Sequence, residues 1–236
     1  RWSLTLAFWI AAVCQSQADT VQNFDAGGTA YELAQNNVNP APMVTAGGPT
    51  GNFLRLASAT AQANVNTVAF TKSDAGTYKL IIADFDFRIT GQADGFNFTL
   101  LDTFTWGQAG AIAVPGQFYQ EPNIKASLGI GFDVFANVED GDLNGNHVSV
   151  HFDGKKLQDF DAGAVNLKSG QWIHAQIIVR PGGGNSDVSV ILTPNGGAPV
   201  TIFTNFFVAG LQPYESRVMF GARTGGLTAD HDLDNI

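Results

Sequence analysis

The chain has 236 residues, with 21 Asp and Glu against 12 Lys and Arg, and a formal net charge of −9 at pH 7. This length allows one large β domain or two small domains, and the acidic balance argues against nucleic acids and anionic membranes as partners. With 27 glycines, 14% charged residues and few patterns of helical period, the composition predicts an all-β chain of short strands and tight turns.

The first 18 residues have the features of a secretory signal peptide. Arg1 precedes an apolar core, and a small-x-small triplet ends the segment at Ala18. The apolar run is too short to cross a bilayer. Cys14 is the only cysteine, and Val13 before it fits a lipoprotein cleavage box poorly. The mature chain, residues 19–236, therefore has no disulfide, which for a secreted or cell-surface protein favours a bacterial source.

Two stretches before residue 102 alternate apolar and polar residues, which is the period expected of half-buried strands. In the first, Lys79–Ile89, the side chains predicted to face inward are Phe85, Phe87 and Ile89. In the second, Gly95–Leu101, they are Phe96, Phe98 and Leu100. Shorter strands are predicted at Thr29–Leu33, Phe53–Leu56 and Asn66–Thr71.

The stretch from Ser127 to Asp153 holds many oxygen-bearing side chains between two strands. An apolar strand is followed by a loop with Asp133, Asn137, Glu139, Asp140, Asp142, Asn144 and Asn146, and a second strand begins at His147. Calcium takes about six to eight oxygen ligands from carboxylates, amide carbonyls, backbone carbonyls and water. This loop offers all of these donors, so a calcium site is one interpretation of it.

Two other interpretations of the loop are open. Asp, Asn and Gly are ordinary turn residues, so the loop can be a solvated acidic turn without a metal. The second interpretation is an EF-hand (helix–loop–helix) calcium loop, because Asp140, Asp142, Asn144 and Gly145 fit the first positions of its motif. That loop needs a Glu at its twelfth position, where this chain has His151, and it needs a helix where this chain predicts a strand.

Later strands are predicted at Gln171–Arg180, Asp187–Thr193, Val200–Phe206 and Ser216–Ala222, with glycine-rich turns between them. No repeat and no break in composition divides the chain, so residues 19–236 are predicted to form one domain. The number of short antiparallel strands indicates two sheets packed face to face, a jelly-roll sandwich. The sequence ends at Ile236, apparently within a strand, and we expect the chain to continue beyond it.

The spacing of Asp133, Phe135, Asn137, Asp142 and His147 resembles the metal loop of the legume-type (L-type) lectins. The resemblance implies that calcium is held by the Asp133 and Asp142 carboxylates, the Phe135 carbonyl and the Asn137 side chain, and that His147 helps to hold a neighbouring transition metal. These lectins have a Glu ligand for the second metal where this chain has Gly131. The resemblance therefore implies a complete calcium site and a damaged second metal site.

Two further segments resemble the same lectins. Ala93-Asp94-Gly95 is by itself an ordinary hairpin turn, but with the following Phe-Asn-Phe it resembles their sugar-binding signature, and residues 217–225 resemble their last-strand pattern. The resemblance implies a concanavalin A-like sandwich. It also implies a sugar site in which Asp94 accepts hydroxyl hydrogen bonds, Asn137 donates one and Phe135 stacks. A backbone N–H of the glycine-bearing loop 106–116, that of Gly110, completes this site, and Leu227 borders it.

The sequence disfavours an enzyme. The four Glu residues, Glu32, Glu121, Glu139 and Glu215, share no predicted strand, and a glycosidase needs two paired carboxylates. We expect a secreted, calcium-dependent domain that binds glycans or polysaccharide, without insertion of the mature domain into a membrane. The alternatives are a structural or adhesive laminin-G-like domain of an exported bacterial protein and, third, a glycoside hydrolase, because the same sandwich carries all three functions.

Overall fold

The computed structural model describes residues 22–26, 30–35, 38–113 and 120–236. The predicted signal peptide and Cys14 lie outside the described residues, so the secretion signal stays a prediction. The helical parts of the described chain are short turns, and none has the length and apolar content of a membrane span.

Fourteen strands in the described chain form two antiparallel sheets of seven, which confirms the predicted sandwich. The strands are numbered in chain order. The front sheet has the spatial order β1 (Tyr31–Gln35), β4 (Val65–Phe70), β13 (Ser216–Arg223), β6 (Gly95–Asp102), β7 (Leu128–Asp133), β8 (His147–Phe152) and β9 (Lys155–Asp161). The back sheet has the order β12 (Val200–Phe207), β11 (Asp187–Pro194), β10 (Ile173–Arg180), β5 (Ile81–Gly91), β14 (Ala229–Asp234), β3 (Asn52–Ala57) and β2 (Met43–Ala46). A helical turn, α1 (Thr103–Trp106), follows β6, and a 3-10 turn occupies Val138–Asp140.

The core between the sheets is built from the alternating positions that the sequence predicts. Phe85 of the back sheet stacks on Phe98 of the front sheet, with ring centroids 5.9 Å apart, and meets Phe220 edge-on at 5.0 Å. Phe96 and Phe132 of neighbouring front strands stack at 4.7 Å. All five rings are almost completely buried. Such aromatic pairs fix the register of the two sheets as well as burying apolar area.

Two edge strands were not predicted. β2 has only four residues, and β9 reads Lys-Lys-Leu-Gln-Asp-Phe-Asp without apolar alternation at its start. Each is the last strand of its sheet, where one side of the strand meets no neighbour and charged residues are common. An edge strand therefore gives a weak sequence pattern, although here β9 carries two residues that shape the functional site.

The outer face of the front sheet is covered where β7 and β8 lie. Residues 120–124 run across this face, and a Cβ built on Gly131 would lie 2.2 Å from the Gln120 carbonyl oxygen. A Cβ on Gly129 would lie 2.5 Å from the Pro122 ring. Consequently the polar side of β8, which carries His147, Ser149 and His151, is fully buried along with its apolar side.

Candidate functional site

Asp94 and the oxygen-rich loop are held side by side by the pairing of β6 with β7. Gly95 lies opposite Asp133 in this pairing, and the Val134 backbone N–H donates to the Asp94 carbonyl at 2.9 Å. The Ala93–Asp94 peptide bond is cis. The end of one strand and the start of the loop therefore meet at one corner of the front sheet, which brings two of the segments singled out in the sequence together.

The loop is closed by hydrogen bonds from its backbone to its own carboxylates. Asp133 Oδ1 accepts from the Phe135 N–H at 2.7 Å, and Asp142 Oδ2 accepts from the Asn137 N–H at 2.6 Å. Two side-chain oxygens, Asp133 Oδ2 and Asn137 Oδ1, are buried and accept no hydrogen bond from the described residues. Burial raises the pKa of Asp133 to about 8, although the Phe135 N–H and His147 act in the opposite direction.

These donors fit a calcium ion. A buried oxygen without a hydrogen bond costs about 1–3 kcal/mol, so two of them in one loop call for a partner. Asp133 and Asp142 supply carboxylates and Asn137 an amide oxygen, which are the hard oxygen ligands that calcium prefers. Three of the sequence-predicted ligands are thus in one loop with the atoms that calcium requires.

A second set of ligands lies next to this loop. One ligand atom from each of Glu121, Asp133, Asp142 and His147 lies within 4.8 Å of the others. His147 Nδ1 lies 2.5 Å from the Asn144 carbonyl oxygen; because a carbonyl only accepts, Nδ1 carries the proton of that hydrogen bond. Nε2 is turned toward the Glu121 carboxylate at 3.7 Å and makes no hydrogen bond within the described chain.

The sequence did not point to Glu121 as a ligand, because this residue reaches the cluster on a segment that passes close to Gly131. The resemblance places a Glu ligand at position 131, where the carbonyl oxygen of Gln120 leaves no room for a Cβ. The segment that excludes a side chain from this position carries its own carboxylate, Glu121, into the cluster. The only signal available in the sequence was the glycine itself, which shows that another segment can pass close to β7.

Lys156 of β9 places its ammonium group among the same carboxylates. Its Nζ lies 2.9 Å from Asp142 Oδ1, 3.1 Å from Asp159 Oδ2 and 3.4 Å from Glu121 Oε1. Burial lowers the pKa of Lys156, but its hydrogen bond to Asp142 and the charge of Glu121 raise it by more. Lys156 is therefore charged. In the same cluster, burial lowers the pKa of His147 and the nearby carboxylates, Glu121 first, raise it to about 9.

The carboxylate of Asp94 lies in a narrow recess beside the loop. Asp94 is only 4% exposed, its Oδ2 lies 3.2 Å from Arg223 Nε, and a Cβ built on Gly225 would lie 2.8 Å from the same oxygen. Burial raises the pKa of Asp94, while the charge of Arg223 lowers it. The glycine at position 225 lets the last loop approach the carboxylate, and Arg223 is a second residue that the sequence analysis did not single out.

The other predicted sugar contacts are placed differently from one another. Phe135 and Leu227 are 36% and 44% exposed, and Leu227 follows Gly225 in the loop that approaches Asp94. Gly110 donates nothing toward this corner; its carbonyl accepts from Arg217 Nη1 at 2.9 Å. Arg217 precedes Arg223 by six positions in β13, about 20 Å along the strand. Leu227 is thus two residues beyond Gly225, which lies against Asp94, whereas the Gly110 carbonyl lies against Arg217.

No protein-family model matches the sequence, and no curated protein is significantly similar to it. Solved structures are similar in fold. Peanut lectin, solved with a nine-residue peptide, superposes with a TM-score of 0.64 and 17% sequence identity. The superposition covers 91% of this chain and 94% of the lectin chain. A metal-free lectin from Griffonia simplicifolia covers 92% of this chain and 97% of its own, with a TM-score of 0.65 and 14% identity. The fold is that of the legume lectins.

A lumenal domain has a similar fold. The lumenal domain of VIP36, solved with Ca2+ and Man3GlcNAc bound, covers 88% of this chain and 84% of its own, with a TM-score of 0.58 and 15% identity. At identities this low the comparison establishes the lectin fold and nothing about individual residues. The site residues of this chain must therefore be argued from their own geometry.

Proposed function

We propose that this chain is a secreted domain that binds glycans or polysaccharide in a calcium-dependent manner. The observation that carries the proposal is a pair of buried oxygens, Asp133 Oδ2 and Asn137 Oδ1, that accept no hydrogen bond from the part of the chain that the structure describes. Their loop is hydrogen-bonded to the Asp94 backbone. The lectin fold, shared with a domain solved in complex with calcium and a mannose-containing glycan, supports it.

The proposed calcium ligands are Asp133, the Phe135 carbonyl, Asn137 and Asp142. A bound calcium ion would neutralise carboxylate charge and hold the loop in one conformation. Asn137 then offers its amide N–H to a sugar hydroxyl while its oxygen faces the metal. The loop thereby couples the metal to the sugar, because the same side chain serves both.

The sugar is proposed to bind between Asp94, Phe135 and Leu227. Asp94 accepts hydrogen bonds from two hydroxyls, and bonds to an ionised carboxylate are roughly twice as strong as neutral ones. The half-exposed ring of Phe135 offers an apolar surface to the C–H face of a sugar, and Leu227 borders it. With a net charge of −9, the domain is suited to neutral glycans and not to nucleic acids.

A glycan array run with calcium and again with chelator tests the proposal. We expect a subset of glycans to bind in calcium and to be lost with chelator. An array without any bound glycan, on protein that is folded and calcium-loaded, would contradict it. Binding that is the same in both buffers would contradict the calcium dependence alone.

A specific observation favours a second candidate, a structural or adhesive domain without a working sugar site. The guanidinium of Arg223 lies against the carboxylate that a sugar would use. If the ion pair keeps sugar hydroxyls from Asp94, no glycan on the array binds, although calcium still stabilises the fold. Hydrolysis has weaker support, because Glu121, Asp142 and Asp159 are buried and bonded to Lys156 and so do not face a cleft.

A further inference from the structure

The ammonium group of Lys156 lies where the second ligand set converges. It donates to Asp142 Oδ1 at 2.9 Å and lies 3.4 Å from Glu121 Oε1. Both carboxylates belong to the four groups whose ligand atoms lie within 4.8 Å of one another. A cluster of two or three carboxylates and one imidazole is a donor set that transition metals accept. An ammonium ion and a metal ion therefore compete here for the same oxygen lone pairs.

The position of Lys156 is built into the backbone by a β-bulge. In the β8–β9 pairing, Val150 lies opposite Gln158 but the next residue, His151, lies opposite Lys156, so Leu157 is the extra residue. Without the bulge, residues 156 and 159 would point to opposite faces of the strand. The bulge turns Lys156 to the face of Asp159, and their side chains bond at 3.1 Å.

Two further buried atoms of the cluster lack a hydrogen-bond partner among the described residues. His147 is fully buried, and its Nε2 makes no hydrogen bond within the described residues. Asp159 Oδ1 is also buried without a hydrogen bond and lies 3.9 Å from that Nε2. The carboxylates of Glu121, Asp142 and Asp159 line this small volume beside Asp133, and burying them so close together favours positive charge among them.

We propose that Lys156 is a built-in cation that takes the place of the second metal, so that the cluster holds one metal ion where its ligand set could hold two. The ammonium neutralises the carboxylates that face β9, and Asp142 bridges it to the calcium half of the loop through its other oxygen. The loop would then be ordered by calcium alone. The inference rests on the proposed function only where it assumes a calcium ion in the loop. The exclusion of a second metal depends on Lys156 and its neighbours alone.

Cobalt titration tests the inference, because cobalt bound to nitrogen and oxygen ligands has visible absorption bands. The titration is run in millimolar calcium, with metal stoichiometry measured after dialysis, on the wild type, Lys156→Met and Lys155→Met. Methionine keeps the length of the lysine stem without its charge, and Lys155 is the exposed neighbour that serves as control. We expect no tight cobalt in the wild type or Lys155→Met and about one equivalent in Lys156→Met, bound at least about tenfold more tightly.

Adding Glu121→Gln or His147→Gln to Lys156→Met should abolish the new cobalt spectrum. A cobalt spectrum in the wild type as strong as that in Lys156→Met would overturn the inference, as would a folded Lys156→Met that gains no cobalt. If Lys156→Met does not fold, the wild-type titration decides, because tight cobalt binding there means that Lys156 excludes nothing. A wild type that binds no calcium, with a Lys156→Met that gains cobalt, would contradict the proposed function and leave this inference standing.

Discussion

Arg223 Nε lies 3.2 Å from Oδ2 of Asp94, in a recess where Asp94 is only 4% exposed. The two residues are joined through the backbone as well, because the Asp94 N–H donates to the Arg223 carbonyl at 3.1 Å. Burial raises the pKa of Asp94, and the guanidinium offsets part of that shift. Arg223 therefore favours an ionised carboxylate in a place where water alone would not, and a charged acceptor is what a sugar site at this corner needs.

The first prediction concerns that carboxylate. Asp94→Asn should abolish or severely weaken glycan binding, because the amide loses the charge and presents N–H groups to sugar hydroxyls. Each mispaired buried group costs about 1–3 kcal/mol, so we expect a loss of at least about fivefold in affinity. Binding of the best array glycan and the thermal midpoint are measured on both proteins.

Asp84→Asn is the matched control for this change, because Asp84 lies on the outer face of the back sheet. It should leave binding unchanged. If Asp94→Asn binds as well as the wild type, or if it loses stability and binding in parallel, Asp94 is a turn residue and the structural-domain alternative is preferred.

The second prediction separates two phenylalanines that are three positions apart. Phe132 is fully buried and stacks on Phe96, whereas Phe135 is 36% exposed. Phe132→Ala should lower the free energy of unfolding by about 3–5 kcal/mol. Phe135→Ala should leave stability nearly unchanged and weaken glycan binding by roughly tenfold, the effect of losing about 1.5 kcal/mol of apolar contact. Urea unfolding and glycan titration of both variants check this; a Phe135→Ala protein with full affinity would remove Phe135 from the site.

The third prediction concerns calcium. A ligand that binds only the folded state stabilises it by about 2.7 kcal/mol at a hundredfold excess over Kd, so calcium should raise the thermal midpoint and chelator should lower it. Asp133→Asn should remove the response, because it replaces a carboxylate whose Oδ2 has no other partner among the described residues. Glu139→Gln, an exposed residue of the same loop, should keep it. A wild-type midpoint that is the same in calcium and in chelator would contradict the site.

The sandwich and its core could be predicted from the sequence because they depend on local alternation. Phe85, Phe87 and Ile89 repeat with period two in one strand, and burial of that face follows from the period. The loop that we propose to hold calcium could be located for a similar reason, since Asp133, Asn137 and Asp142 lie within one short segment. Their spacing along the chain already limits their distances in space.

The rest of the cluster could not be predicted, because its members meet only through sheet pairing and a covering segment. Glu121 belongs to a segment that crosses β7. Lys156 is turned toward the cluster by a β-bulge, and no local sequence pattern predicts that bulge. Gly110 shows the same limit. The composition of its loop does not say which part of the sheet the loop contacts, and the structure places the Gly110 carbonyl against Arg217.

The fourth prediction tests the covering segment. Gly131→Ala should destabilise the protein by about 1–3 kcal/mol, because the new Cβ would lie 2.2 Å from the Gln120 carbonyl oxygen and 2.3 Å from Ser149 Oγ. Gly182→Ala is the control, since a Cβ there meets nothing within 4 Å. Chemical unfolding of the two variants gives the comparison. Equal stabilities would mean that residues 120–124 do not lie against β7.

The fifth prediction concerns acid stability and His231. Burial lowers the pKa of His231 to about 3; the Ala229 backbone acts in the opposite direction, and the Arg55 charge adds a smaller lowering. The unfolded chain takes up this proton near pH 6.5, so between about pH 6.5 and pH 3 the unfolded state binds more protons. Stability that is complete above pH 6.5 is then lost on acidification, by up to about 1.4 kcal/mol per pH unit.

His231→Gln removes this titration, so its free energy of unfolding should fall less steeply with pH between about 6 and 4 than that of the wild type. Urea unfolding at a series of pH values measures the two slopes. Parallel slopes would mean that His231 takes up its proton in the folded protein as readily as in the unfolded chain.

The central claim is that one calcium ion and one glycan share Asn137 and therefore bind as a coupled pair. The most direct test is to titrate the best array glycan at a series of free calcium concentrations, alongside the thermal midpoint at each concentration. We expect glycan affinity and thermal stabilisation to rise together over the same calcium range, and neither to be seen with chelator. Undiminished glycan binding in chelator, or thermal stabilisation by calcium with no glycan bound at any concentration, would contradict it.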